Sequence, residues 1–199
     1  MPILIAPVAM QEMAHKDGEI ATTKAARTLN TIMTHSTISN KSIKEVGPIH
    51  DKTFFQLYFS KDRDFTSQML KECKSLGYKA IVFTVDAPRL GTRERDERNS
   101  FKMPDKLKLG NFVGTKFEHF DKIEEYDGSS MKVHSDHLFD PSLTFDIIPW
   151  IKEQSSLPVL VKGILRPDDA TQALSFGADG IIISNHGGRQ LDSAVPTLK

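Results

Sequence analysis

Short apolar runs alternate with amphipathic stretches along this chain. The runs are Ile3–Val8, Thr31–Thr34, Phe54–Phe59, Ala80–Val85, Val159–Val161 and Gly180–Ile183. Each is too short for a core helix and nearly continuous in apolar character, which predicts strands covered on both faces. Between them, Glu19–Leu29 places Ile20, Ala21, Ala25 and Leu29 near one helical face, and Phe65–Leu76 gathers Met69, Leu70, Cys73 and Leu76. That gathering makes Cys73 a core residue and not a nucleophile. Asp168–Phe176 follows Pro167, suited to a first helical turn, and ends at Gly177, suited to a C-cap. Ser42-Ile43-Lys44-Glu45 has the spacing of a capping box. Alternating strands and helices predict a parallel α/β sheet with helical crossovers. An open doubly wound sheet and a (β/α) barrel both fit, with about six strands where a complete barrel has eight.

Two features refine this picture. The stretch from about 94 to 140 is rich in charge, glycine and aromatics without clear periodicity, and reads as a long polar excursion that could serve as a mobile lid. Gly77-Tyr78-Lys79-Ala80-Ile81-Val82-Phe83-Thr84-Val85-Asp86 matches Gly177-Ala178-Asp179-Gly180-Ile181-Ile182-Ile183-Ser184-Asn185-His186 in pattern. Each has a glycine, an apolar strand, a hydroxyl residue and an ionisable residue two further on. Repetition of one β/α unit favours a barrel.

Composition excludes more than it selects. Of 199 residues, 39% are hydrophobic and 26% charged, ordinary values for a globular domain. Lys+Arg and Asp+Glu number 26 each, a balance that suggests neither nucleic acid nor an anionic membrane as partner. No apolar run is long enough to cross a bilayer, and the apolar N-terminus lacks a basic start and a small-residue cleavage site. The expectation is a soluble intracellular protein. With Cys73 alone no intrachain disulfide can form, so a reducing compartment is the simplest setting.

The chemistry collects where strands stop being apolar. Period-two alternation puts Gln56 with Tyr58, Thr84 with Asp86, and Ser184 with His186, each pair on one face. Lys162 closes Val159-Leu160-Val161. Polar groups at C-terminal strand edges mark the usual active-site position of parallel α/β folds. A lone histidine at a strand end is ordinarily a surface residue, but His186 is followed by Gly187-Gly188-Arg189, which allows close approach to a ligand. Asp86 could cap a helix; at the level of a histidine it can also fix a tautomer and stabilise the cation. Lys162 could snorkel to solvent, yet so apolar a strand suits an anionic ligand better. Arg93 sits among other charges and on spacing alone is equally a surface residue. His134-Ser135-Asp136-His137 looks like a metal-ligand set, though such groups in polar loops are ordinarily solvated, and no metal is expected. No Walker loop, zinc pair, nucleophile elbow or dinucleotide fingerprint is present. A base, a carboxylate, arginines, a lysine and a tyrosine suit proton abstraction from a small carboxylate, without specifying a redox cofactor.

These segments resemble the FMN-dependent 2-hydroxy acid oxidases and dehydrogenases, the glycolate and lactate oxidases among them. The resemblance runs through Pro2–Met10, Phe54–Tyr58, Thr84–Glu94, Leu160–Gly163 and Ser184–Asp192, in order along the whole chain. It implies a (β/α)8 TIM barrel holding FMN at its C-terminal mouth, and an (S)-2-hydroxy acid oxidised to a 2-oxo acid, with oxygen as acceptor. His186 would be the base and Asp86 its stabiliser. Arg189 and Arg93 would hold the substrate carboxylate, and Tyr58 its oxygen. Lys162 would face flavin N1 and O2. Ser36, Gln56 and Thr84 would bond the ring, beside the backbone of Pro7, Val8 and Ala9. A dehydrogenase passing electrons to a quinone or cytochrome is the neighbouring alternative.

Two departures follow from the same resemblance. Ile38 stands where glycolate oxidases often carry tryptophan, which would alter the substrate pocket. Family members also begin upstream with another tyrosine and continue for two β/α units that bind the FMN phosphate, so residues 1–199 are expected to form a partial barrel domain of about six units. Such a piece could be a non-catalytic remnant binding flavin weakly. Family members often form tetramers, an assembly open to the complete barrel, and cytoplasm and peroxisome are both open as compartments.

Overall fold

The computed structural model describes residues 3–118 and 137–198. Five strands, β1 (Met33–Ser36), β2 (Thr53–Leu57), β3 (Ala80–Thr84), β4 (Val159–Ile164) and β5 (Gly180–Ile183), form one sheet in the order β1-β2-β3-β4-β5. All four pairings are parallel. A doubly wound sheet reverses direction at a switch point; this sheet never does, and sequential parallel order is that of a barrel wall. The fold is therefore a partial (β/α) barrel. Of the sixth strand expected at Ile3–Val8, only Ile5 pairs, as a single parallel bridge to Met33. It receives the Thr34 amide and donates its own to Ile32. Pro7 lacks an amide for further pairing, and Ile3, Leu4 and Val8 lie exposed at this edge.

The helices are α1 (Gly18–Thr28), α2 (Ile43–Val46), α3 (Arg63–Ser75), α4 (Glu94–Arg98), α5 (Ile148–Ser155) and α6 (Pro167–Ser175). Outward strand residues Phe55, Leu57, Ile81, Phe83, Val159 and Val161 pack with Met69, Leu70 and Cys73 of α3, Ile148 and Ile151 of α5 and Ala173 of α6 in one buried cluster. Cys73 is in that core, as expected. The capping box is complete at Ser42 and Glu45. Pro167 opens α6, and Gly177 follows it at φ 93°, where its amide returns to Leu174. Gly77 repeats the device after α3 at φ 82°.

Two expectations need correction. α1 does not bury Ile20, Ala21, Ala25 and Leu29; it buries Glu19, Thr23 and Ala26, while Leu29 is 71% exposed. The cause is Glu19, whose carboxylate accepts the amides of Gln11, Asn40 and Lys41 and so turns the helix. The described part of the excursion is no free lid either. Leu109, Phe112 and Phe117 are buried, and Phe112 and Phe117 pack on Phe65 of α3. Asn111 ties it to the β1–α2 loop, accepting the Ile43 amide at 2.8 Å and donating to the Thr37 carbonyl at 3.0 Å.

Candidate active site

In a parallel pair, registered residues point to the same face. Ser36 registers with Gln56 and Thr84 with Lys162, so the inner face gains one polar side chain from each of β1 to β4. All four are buried. Ser36 Oγ donates to Gln56 Oε1 at 3.1 Å, and Gln56 Nε2 donates to Thr84 Oγ1 at 3.0 Å. Taking a hydroxyl proton on its oxygen fixes which way the Gln56 amide faces. Lys162 is not at the end of its strand, as expected from sequence, because β4 continues to Ile164 through a bulge. Its ammonium has no hydrogen bond or ion pair among the described residues. Burial lowers its pKa, opposed by the charge of Asp86.

His186 reaches the site from outside the strand. Period-two alternation had put Ser184 and His186 on one strand face. Instead β5 ends at Ile183 and the chain turns through a short 3-10 turn at His186–Gly188. His186, Gly187 and Gly188 all have positive φ, at 60°, 66° and 71°. A histidine in that region costs about 1 kcal/mol or more. The turn is held by Ser184 Oγ and Asn185 Oδ1, which accept the amides of His186 and Gly187.

The imidazole then lies between two partners. Its Nδ1 is 2.9 Å from Asp86 Oδ1, and its Nε2 is 3.3 Å from the Tyr58 hydroxyl. A carboxylate can only accept, so Nδ1 carries a proton, and in the neutral imidazole Nε2 is then the nitrogen with the lone pair. Burial first, and the Asp86 charge second, push the Tyr58 phenol well above its ordinary pKa, so it stays a donor. Asp86 Oδ2 is buried without a donor among the described residues.

Other expected residues are placed less tightly. Pro7–Ala9 follow the Ile5 bridge beside the end of β1, where Met10 donates to the Ile38 carbonyl. Ile38 itself is buried in the main cluster. Arg189 ends the His186 turn and is exposed; Arg93 precedes α4. Neither guanidinium has a partner among the described residues. His134, Ser135 and Asp136 lie outside the described residues, and His137 is exposed. Among the described residues no cluster could hold a metal ion, and no helix is long and apolar enough to cross a membrane.

Two supporting residues were not singled out from sequence. Gly163 has φ 112°, and a Cβ there would lie 2.6 Å from Asp86 Cβ and Cγ. Gln190 bonds the loop that carries Asp86. The signals were slight: a glycine directly after a strand lysine, and a glutamine directly after an arginine.

A barrel wall with an imidazole, a carboxylate and a phenol brought together at its C-terminal edge defines a structural class, the β/α-barrel proteins. Comparison with known proteins narrows it. The profile of the FMN-dependent dehydrogenase family matches residues 1–199. The chain is 44% identical over 200 residues to a 2-hydroxyacid oxidase of Dictyostelium discoideum, covering 100% of this chain and 50% of that protein. It is 45% identical over 201 residues to a glycolate oxidase of Spinacia oleracea, covering 100% of this chain and 53% of that protein. Among solved structures, mandelate oxidase with (S)-4-hydroxymandelic acid matches with a TM-score of 0.87 and 37% identity, over 99% of this chain and 54% of that one. This chain belongs to the FMN-dependent dehydrogenase family. It spans about half the length of the relatives it matches.

Proposed function

We propose that this chain carries the proton-transfer residues for FMN-dependent oxidation of an (S)-2-hydroxy acid to the 2-oxo acid, with oxygen as final acceptor. The observation that carries the reading is the Asp86–His186–Tyr58 constellation, at 2.9 and 3.3 Å. Relatives named 2-hydroxyacid oxidase, glycolate oxidase and L-lactate oxidase support the substrate class.

The residues present fit the flavin. A buried row of hydroxyls and a carboxamide (Ser36, Gln56, Thr84) suits the polar edge of a planar heteroaromatic ring. The desolvated Lys162, unpaired among the described residues, suits a ring that gains negative charge. Pro7–Ala9 would flank it. When bound, FMN supplies the acceptor for the substrate's electron pair. The chain's own residues do the rest. Arg189 and Arg93, both without partners among the described residues, would pair the substrate carboxylate through bidentate contacts. Tyr58 donates to a substrate oxygen. His186 Nε2 takes the proton, and the Asp86 carboxylate stabilises the imidazolium that forms.

The test is anaerobic mixing of the FMN-loaded protein with glycolate, L-lactate and (S)-mandelate. Bleaching of the flavin band is expected with at least one of them; bound flavin that none of them bleaches would overturn the proposal. A second reading is a flavin-binding or interaction module without turnover, for which the exposed apolar side chains Ile183, Leu191 and Val195 offer a contact surface. Tight, fluorescence-quenching FMN binding together with turnover would exclude it.

A further inference from the structure

Gln190 lies one residue beyond Arg189, on the loop that carries His186, yet its side chain serves the other loop. Its Nε2 donates to the main-chain carbonyls of Asp86 at 3.0 Å and Arg89 at 2.9 Å. Its Oε1 accepts the amide of Gly91 at 3.1 Å. Both amide hydrogens and the oxygen are thus spent on one loop, some hundred residues away in sequence. The approach is possible because Gly91 has no side chain: a Cβ there would overlap the Arg189 carbonyl and the Gln190 backbone.

Asp86 is also seated from the other side. Gly163, at φ 112°, leaves room under the Asp86 side chain that a Cβ would fill. The carboxylate has a single described partner, His186, since Oδ2 receives no donor. Nothing bonded to the carboxylate itself aims it at the imidazole. Its direction depends on where the main chain of Asp86 is held, and Gln190 holds that main chain to the His186 loop.

We propose that Gln190 is a positioning residue, which fixes Asp86 against His186 and thereby sets the geometry of the proton-accepting pair. The inference rests on the proton-transfer reading of His186. It also explains a pairing of loops: the same clamp keeps the segments bearing Arg93 and Arg189 in contact.

The test uses the full chain in four forms: unaltered, Gln190→Ala, Asp86→Asn and the double variant. In flavin-free protein, the downfield Nδ1 proton resonance of His186 reports the bond to Asp86. Gln190→Ala should move it upfield or broaden it away. In FMN-loaded protein, Gln190→Ala should slow flavin reduction about 10- to 100-fold, the scale of a 1 Å misplacement. In the Asp86→Asn background it should add little, because Gln190 acts through Asp86. Gln190→Glu keeps the size and the acceptor but has no proton for the two carbonyls, and should behave like the alanine variant; it decides the matter if Gln190→Ala does not fold. An unmoved resonance, or equal slowing in both backgrounds, would overturn the proposal. If no form reduces flavin, the oxidation reading fails and the resonance alone decides on Gln190.

Discussion

Gly77–Asp86 and Gly177–His186 share one pattern, yet the structure treats them differently. Both begin with a glycine at positive φ closing a helix, and both continue as an inner-wall strand. β3 lies between two strands and is buried at every position. β5 pairs on one side only and is half-buried, with Ile183 62% exposed. The first unit adds a buried polar anchor. The Tyr78 hydroxyl meets His35 Nδ1 at 2.8 Å, and His35 Nε2–H donates to the Lys41 carbonyl at 3.0 Å. The second has Ala178 there and makes no such bond. The first unit ends in a carboxylate held by its backbone, the second in a histidine carried on a strained turn. On the proposed reading, one repeat supplies the carboxylate and the other the proton acceptor it orients. The difference comes from position in the sheet and not from the strand pattern.

The sharpest test of that division is at the ends of the units. His186→Gln should lower the rate of flavin reduction at least about 1,000-fold, equivalent to about 4 kcal/mol, with FMN affinity unchanged. Equal loss of binding and reduction would make His186 structural and dissolve the contrast with Asp86.

The buried anchor of the first unit is tested by pH. Burial, opposed chiefly by the Lys41 carbonyl, lowers the His35 pKa from about 6.5 to about 4. The unfolded chain therefore binds the proton first as pH falls. His35 contributes full stability above pH 6.5, loses it between 6.5 and 4, and has none left to lose below. The gap corresponds to about 3 kcal/mol. Urea unfolding of the protein and of His35→Gln at pH 7 and pH 4.5 checks this: the variant should lose less on acidification. Equal losses would place the acid sensitivity elsewhere.

Strand burial gives a smaller effect. Ile81→Ala should destabilise by about 3 kcal/mol and Ile181→Ala, only half-buried, by about 1 kcal/mol, measured by the same unfolding curves. Matching values would mean that β5 is as enclosed in solution as β3. Smallest and most alike should be Gly77→Ala and Gly177→Ala, each costing about 1 kcal/mol because both glycines lie in the left-handed region with open space around them. A large difference between them would break the equivalence of the two helix ends.

Much of the fold was legible from local pattern. Gly180–Ile183 was placed to the residue, the other inner strands to within a few, and the caps at Ser42, Pro167 and Gly177 follow local chemistry alone. The misreadings have nonlocal causes. α1 is turned by a buried carboxylate whose partners lie up to 22 residues away. The excursion docks through Asn111 onto a loop 68 residues earlier.

At the site, the sequence by itself determined which chemical groups lie at or near the C-terminal ends of the strands, because alternation is a local property; it misplaced the strand ends at Lys162 and His186. Strand patterns named Asp86, His186, Tyr58 and Lys162, and only the family resemblance joined Asp86 to His186. Only the tertiary structure decided that Asp86 faces His186 across 100 residues, that His186 arrives on a left-handed turn and not along its strand, and that Gly163 and Gln190 seat the carboxylate. Those facts depend on loop contacts between distant strands, and no periodicity within a strand encodes them.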